Sequence, residues 1–167
     1  MSDTYDRILH LRAIRSFAER PLDDADLDSI LEAARWTGSA KNAQLWSFVV
    51  LTDPDRRAEL AACGQFTTPI RQAPVAIAIV QEPGGYEFDS GRVAQNIMLA
   101  ADSIGVGSCP VTLHDDGAAT SVLGLPPSAR CRYAVACGYP APGAGPTSLG
   151  GRKTLGDLVH RDRYGHR

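Results

Sequence analysis

Two arginines three positions apart, Arg12 and Arg15, are the first residues in this chain whose types and spacing could do chemistry. On a turn or helix end that spacing puts both guanidiniums on one face, where they can converge on one anion. A solvated basic turn is the commoner reading of such a pair taken alone. Next comes Gly38-Ser39-Ala40-Lys41-Asn42-Ala43-Gln44, a loop of small residues that offers a hydroxyl, an ammonium and two carboxamides. Asn and Gln each carry a donor and an acceptor, so the loop can match the edge of a heterocycle. Helix capping and turn formation by Ser39 and Asn42 account for the same residues. Near the other end, Gly150-Gly151-Arg152-Lys153 could close two cations over a phosphate. In Gly105-Val106-Gly107-Ser108-Cys109-Pro110 the glycines allow close backbone approach to a ligand, although Gly105 could equally be a helix C-cap.

The elements that must position these groups alternate between helix and strand. Asp23 or Asp24 can cap a helix with Leu27, Ile30, Leu31 and Ala34 on its inner face. Trp46–Leu51 reads as a buried strand, and Asp53-Pro54 starts a helix that Gly64 could stop. Val75–Val80 is a second strand. A helix opening at Asp89 or Ser90 turns Val93, Ile97, Ala100, Ala101 and Ile104 inward and ends at Gly105. A strand near Val106–Leu113, a short helix near Ala118–Leu123 and a strand at Arg132–Cys137 follow. The Gly- and Pro-rich stretch Gly138–Gly151 is a loop, and Thr154–His160 is a candidate last helix. About twenty residues precede the first good amphipathic helix. This alternation implies α/β layers, and pattern alone favours a doubly wound parallel sheet. The dinucleotide fingerprint and the Walker loop are both missing, so a bound nucleotide would be held by another device.

Composition narrows the classes further. The chain has 167 residues, a one-domain length, with 44% hydrophobic and 22% charged residues, and it reads as one globular domain over 1–167. A net charge of −2 gives no global field for nucleic acid or an anionic membrane. No apolar run approaches a membrane span or a signal peptide, so a cytoplasmic protein is expected. All basic residues but Lys41 and Lys153 are Arg, which most simply reflects a GC-rich genome. Cys63, Cys109, Cys131 and Cys137 form no metal-ligand spacing, so no metal site is expected. Cys131 and Cys137 are expected on one face of one strand, as core thiols.

Taken together, the pieces resemble the FMN-dependent nitroreductase family from about Asp6 to Tyr164. Arg12-Ala13-Ile14-Arg15-Ser16-Phe17 looks like the opening R-S-x-R-x-F/Y. Ile30-Leu31-Glu32-Ala33-Ala34-Arg35-Trp36 with Ser39, Asn42, Gln44 and Trp46 is similar to I-L-E-A-A-x-x-x-P-S-x-x-N-x-Q-P-W. Asp89–Cys109, with Gln95, Asn96, Leu99, Gly105 and Gly107, resembles a third block, and Gly138-Tyr139-Pro140 followed by Arg152 resembles the closing one. The departures are Ala13 for Ser, Gly38 for Pro, Leu45 for Pro, and only Gln81–Phe88 where longer members cover the flavin.

The resemblance implies an α+β three-layer sandwich, a central mixed sheet flanked by helices, in an intertwined homodimer with FMN at the interface. By it the cofactor site comprises Arg12, Ala13, Arg15, Ser39, Lys41, Asn42, Gln44, Thr112, Leu113, Arg152 and Lys153. Arg12, Arg152 and Lys153 would hold the phosphate, and Arg15 the phosphate or the pyrimidine edge. Ser39, Asn42 and Gln44, with Lys41 nearby, would contact the ring and ribityl chain, in this subunit or its partner's. The turn Pro110-Val111-Thr112-Leu113 would offer backbone N–H groups near N5. The implied activity is ping-pong hydride transfer from NADH or NADPH through flavin N5 to a nitroaromatic, quinone or similar acceptor, with no obligatory side-chain acid or base. The other readings are an oxygen-using dehydrogenase of a specialised metabolite, a flavin or deazaflavin protein without turnover, and a phosphate-binding module without flavin.

Overall fold

The structure, a computed structural model, describes residues 3–145 and 151–166. Its elements run α1 (Asp3–His10), α2 (Asp24–Arg35), a 3-10 turn (Ala40–Asn42), β1 (Trp46–Leu51), α3 (Pro54–Ala61), α4 (Thr68–Gln72), β2 (Val75–Gln81), α5 (Glu87–Ser103), β3 (Gly107–Thr112), α6 (Asp116–Leu123), β4 (Arg130–Gly138) and α7 (Leu155–Leu158). The strands form one sheet in the order β1-β2-β4-β3. On one face, Ala76, Ala78, Cys109, Val111 and Ala134 pack with Leu60, Ala61, Ile70 and Ala119 of α3, α4 and α6. On the other, Val75, Ile77, Ile79 and Val135 pack with Ile30, Ala34, Val93, Ile97 and Ala101 of α2 and α5. Three layers result, as expected.

The pairings inside that sandwich differ from expectation. All three are antiparallel among the described residues, in place of a mixed or doubly wound parallel sheet. The reason is legible in β2, where Val75 to Val80 are all buried. A continuous apolar run usually marks a parallel strand because helices then cover both faces. Here helices cover both faces of an antiparallel sheet, so the run reports two-sided burial and not strand direction.

Cys131 and Cys137 were expected on one face and lie on opposite ones. The β2–β4 register shifts between Ile79 and Val80, so Val80 pairs with Cys131 and Ile79 with Tyr133. The extra residue, Arg132, flips the side-chain alternation. Cys131 therefore faces α3, α4 and α6, while Cys137 faces α2 and α5.

Local chemistry explains most boundaries. Asp53 caps α3 by accepting from the N–H groups of Asp55 and Arg56. Asp23 occupies the N-cap of α2, but its side chain does not cap; it accepts instead from the Tyr139 hydroxyl at 2.9 Å and Arg20 at 3.3 Å. The helix expected from Asp89 or Ser90 begins two residues earlier, at Glu87, and Ile104 at its C-cap is exposed rather than inward. Gly105 ends it with φ of 77°. Thr154 and Asp157 cap each other at α7, which stops at Leu158. Two helices were not expected: the five-residue α4, and α1 in the stretch ahead of α2. Acidic Asp3 and Asp6 at the start of α1 and Arg7 and His10 at its end suit the helix dipole. It buries no residue in this chain, and Arg7 ties it to Asp102 of α5 at 2.6 Å.

Candidate functional site

All the sequence-predicted residues but Arg152 and Lys153 fall into three groups, positioned by different elements. The first is the segment after α1. The Ile14 N–H donates to the Ser108 carbonyl at 2.9 Å, and Phe17 bridges to Pro140. Arg12, Ala13 and Arg15 are thereby laid beside the Gly107 end of β3. Arg12 also donates to the carbonyls of Leu9 and Leu11, both at 2.8 Å. Arg15 is close enough to Cys109 to oppose the rise that burial imposes on its thiol pKa. Gly107 does permit a close approach, but the neighbour is Ile14: a Cβ there would lie 2.9 Å from Ile14 Cγ2.

The second group is on β3 itself. Pro110–Thr112 is strand rather than turn, with Leu113 just past its end, and β3 is an edge strand. The Leu113 N–H donates to the Arg132 carbonyl at 2.8 Å, and its side chain is fully buried. Strand alternation then turns the Thr112 N–H to the open edge, while Pro110 has none. Of the expected amide donors, Leu113 is spent within the sheet and Thr112 is free to reach outward. A cleft of about 370 Å³ adjoins this stretch, lined by Glu87, Gly91, Ala94, Pro110, Thr112 and Tyr133 among others.

The third group follows α2. Ser39 Oγ accepts from the Gln44 N–H at 2.9 Å, closing the loop around the Ala40–Asn42 turn. Lys41 and Asn42 both have φ of 54° and Gln44 has φ of 50°. Three non-glycine residues within four positions adopt the left-handed region, at about 1–2 kcal/mol each. Such strain concentrates at functional sites.

The first and third groups do not meet within one chain. Ser39–Gln44 precede β1 at its Trp46 end, whereas Arg12 and Arg15 lie beyond β3 at its Gly107 end. Three strand spacings of about 4.8 Å and a strand length of about 20 Å put the two groups on a diagonal of roughly 24 Å through the sheet. Arg152 and Lys153 are exposed and precede α7, with no described bond to either group; Gly150 lies outside the described residues.

Charge separates these cations from most of the others. Arg7, Arg20, Arg35, Arg56, Arg92, Arg130 and Arg132 each have a carboxylate within 4.0 Å. Among the described residues, Arg12, Arg15, Lys41, Arg152 and Lys153 make no ion pair. Their charge is available to an anionic ligand. No described cluster of His, Cys, Asp and Glu could hold a metal, and no described helix is long and apolar enough to cross a membrane.

Two residues of α5 matter here, and sequence reasoning gave them no role. Arg92 donates to the Gly38 carbonyl, and Asn96 Nδ2 donates to Thr37 Oγ1 at 2.8 Å. Their i, i+4 spacing on one helix was the available signal.

Comparison with known proteins bears on the family and the fold. The chain is similar to the NADPH-flavin oxidoreductase of Vibrio harveyi, at 28% identity over 84% of this chain and 67% of that protein. It is also similar to the NADH dehydrogenase of Thermus thermophilus, at 30% identity over 80% of this chain and 84% of the relative. The solved structure of nitroreductase A from Vibrio parahaemolyticus superposes with a TM-score of 0.88 at 25% identity, over 98% of this chain and 77% of that one. The model of the nitroreductase family matches residues 8–63 and 66–139, most of the chain: this chain belongs to the nitroreductase family.

Proposed function

We propose that this chain is an FMN-dependent NAD(P)H oxidoreductase that acts as a homodimer and passes reducing equivalents to a small oxidised acceptor such as a nitroaromatic or quinone. One observation carries the reading: the open edge of β3 has unpaired Arg12 and Arg15 at one end and an outward Thr112 N–H at the other. From Ser108 to Thr112 is about 13 Å of strand. That is the scale of a mononucleotide with its phosphate at one end and its ring at the other. Relatives whose names specify FMN reductase and NADPH-flavin oxidoreductase support the same cofactor and reductant.

FMN bound along this edge would supply the two-electron chemistry. Arg12 holds the phosphate, with Arg152 and Lys153 as candidates from the segment ahead of α7. Thr112 donates its N–H to the ring. Arg15, reaching along the edge from the phosphate end, or Lys41 of the second copy would place positive charge near the pyrimidine edge, favouring added electrons there.

Ser39, Asn42 and Gln44 complete the site from a second copy, because within one chain β1 and β3 are opposite edges of the sheet, about 14 Å apart with β2 and β4 between them. Two exposed apolar surfaces support that copy. On α1, Tyr5, Ile8 and Leu9 are about half exposed, and in the C-terminal segment Leu155 and Tyr164 are 78% and 90% exposed. Large apolar side chains left open on two elements suit a subunit interface.

The test is an absorbance spectrum of protein incubated with FMN and desalted, before and after anaerobic NADH or NADPH. Retained flavin bands that bleach support the reading. Bands that persist, or a folded protein that retains no flavin, refute it. Sedimentation at micromolar concentration tests the dimer, and a monomer that still retains FMN refutes the shared site.

A further inference from the structure

We propose that Arg92 is a positioning residue for the flavin loop: it locks Gly38 and so selects the strained conformation in which Ser39, Asn42 and Gln44 are presented. The flavin part of this inference rests on the function proposed above.

Residues 39–44 have no buried member, so packing does not hold three left-handed residues in place. Inside the loop are four short-range bonds: Asn42 N–H to Ser39 O at 3.1 Å, Ala43 N–H to Ala40 O at 3.1 Å, Gln44 N–H to Ser39 Oγ at 2.9 Å, and Gln44 Nε2 to Asn42 O at 3.3 Å. Such bonds shape a turn but do not fix its direction. Direction is set where the loop leaves α2, at Thr37 and Gly38.

Gly38 is the freest residue at that exit, since it lacks a side chain. Two side chains four residues apart on α5 act on it and its neighbour. Asn96 bonds the hydroxyl of Thr37, which is only 4% exposed. Arg92 bonds the Gly38 carbonyl and lies so close that a Cβ on Gly38 would be 3.0 Å from its Nη2. Arg92 is itself aimed by Asp89 at 3.8 Å and by the Phe88 ring, 5.8 Å from its guanidinium carbon. The guanidinium thus supplies from outside the restraint that residue 38 cannot supply from within. In the motif that this loop resembles, the same position is proline, which fixes its own backbone.

The test combines Arg92→Ala, Arg92→Lys, Gly38→Ala and the double variant Arg92→Ala/Gly38→Ala. In apo protein, hydrogen exchange at the Asn42 and Gln44 amides should quicken about tenfold in Arg92→Ala and less in Arg92→Lys. By fluorescence titration, FMN should bind about tenfold more weakly to Arg92→Ala. Adding Gly38→Ala to that variant should recover a factor of about two to five, because a stiffer hinge has less entropy to lose. In the parent, Gly38→Ala should not tighten binding, since the new methyl group meets Nη2. Unchanged exchange in Arg92→Ala overturns the proposal. Weaker FMN binding that Gly38→Ala does not improve also overturns it, by showing that Arg92 acts on the ligand directly. If the parent binds no FMN, the functional reading fails, while the exchange data still decide the role of Arg92.

Discussion

Gly107→Ala tests whether the fit between β3 and the segment after α1 sets the phosphate end of the proposed site. The added Cβ would lie 2.9 Å from Ile14 Cγ2 and 3.0 Å from Ile14 Cβ, against the roughly 3.5–4.0 Å that carbon atoms prefer. Ile14 must therefore retreat by about 0.5–1 Å to restore that spacing. Its N–H is held to Ser108 O at 2.9 Å, so the retreat stretches that bond beyond useful length. Overpacking of this kind costs about 1–3 kcal/mol. Taking about 2 kcal/mol, Tm should fall by about 4–8 °C for a chain of this size. Arg12 and Arg15 flank Ile14 and move with it, so FMN affinity should fall about tenfold, equivalent to about 1.4 kcal/mol. Thermal denaturation followed by circular dichroism gives the first quantity, and flavin fluorescence titration the second. Ile14→Ala removes the nearer clashing atom, so the double variant should be more stable and bind FMN better than the two single effects predict. Full additivity, or a Gly107→Ala protein with unchanged Tm and affinity, would refute the reasoning.

Two further outcomes follow from charge and burial. Arg15→Ala, in protein that still retains FMN, should lower the flavin reduction potential by about 20 mV, the equivalent of about 1 kcal/mol for two electrons. Spectroelectrochemistry reads it, and an unchanged potential removes Arg15 from the pyrimidine edge. Burial pushes the Cys131 and Cys137 thiols up from 9.0 to about 12, so both stay protonated in the folded protein while unfolded thiols ionise. The stability they contribute is complete below pH 9 and is lost as pH rises toward 12, at about 1.4 kcal/mol per pH unit for each thiol. Denaturant unfolding at pH 8, 9.5 and 10.5 checks the slope, which should lessen in a Cys131→Ala variant; an equal slope would contradict this assignment.

Helix and strand positions were largely legible in the residues. Trp46–Leu51 has the limits read from its apolar run, and Asp53-Pro54 starts α3 through a local cap that needs no tertiary partner. What escaped depended on contacts distant in sequence. The apolar side chains of α1 find no core within this chain, so its pattern lacked the buried stripe by which helices are recognised. The opposite faces of Cys131 and Cys137 follow from one extra residue in the β2–β4 pairing, which side-chain alternation along β4 alone cannot reveal.

The same division runs through the site. The sequence by itself determined which residues could bind, because residue type and spacing within Arg12–Arg15 and Ser39–Gln44 are local chemistry. It also determined the family, because four motifs fall in one order along the chain. Only the tertiary structure decided how those groups are arranged. The strand order makes β3 an edge, and its register with β4 spends the Leu113 amide on Arg132 and leaves that of Thr112 outward. Order and register together put Arg12 and Ser39 at opposite corners of the sheet, and α5 brings Arg92 and Asn96 to the exit of a loop more than fifty residues earlier. Those outcomes depend on strand order and register, which are set by how two apolar faces are covered at once rather than by any local run of residues.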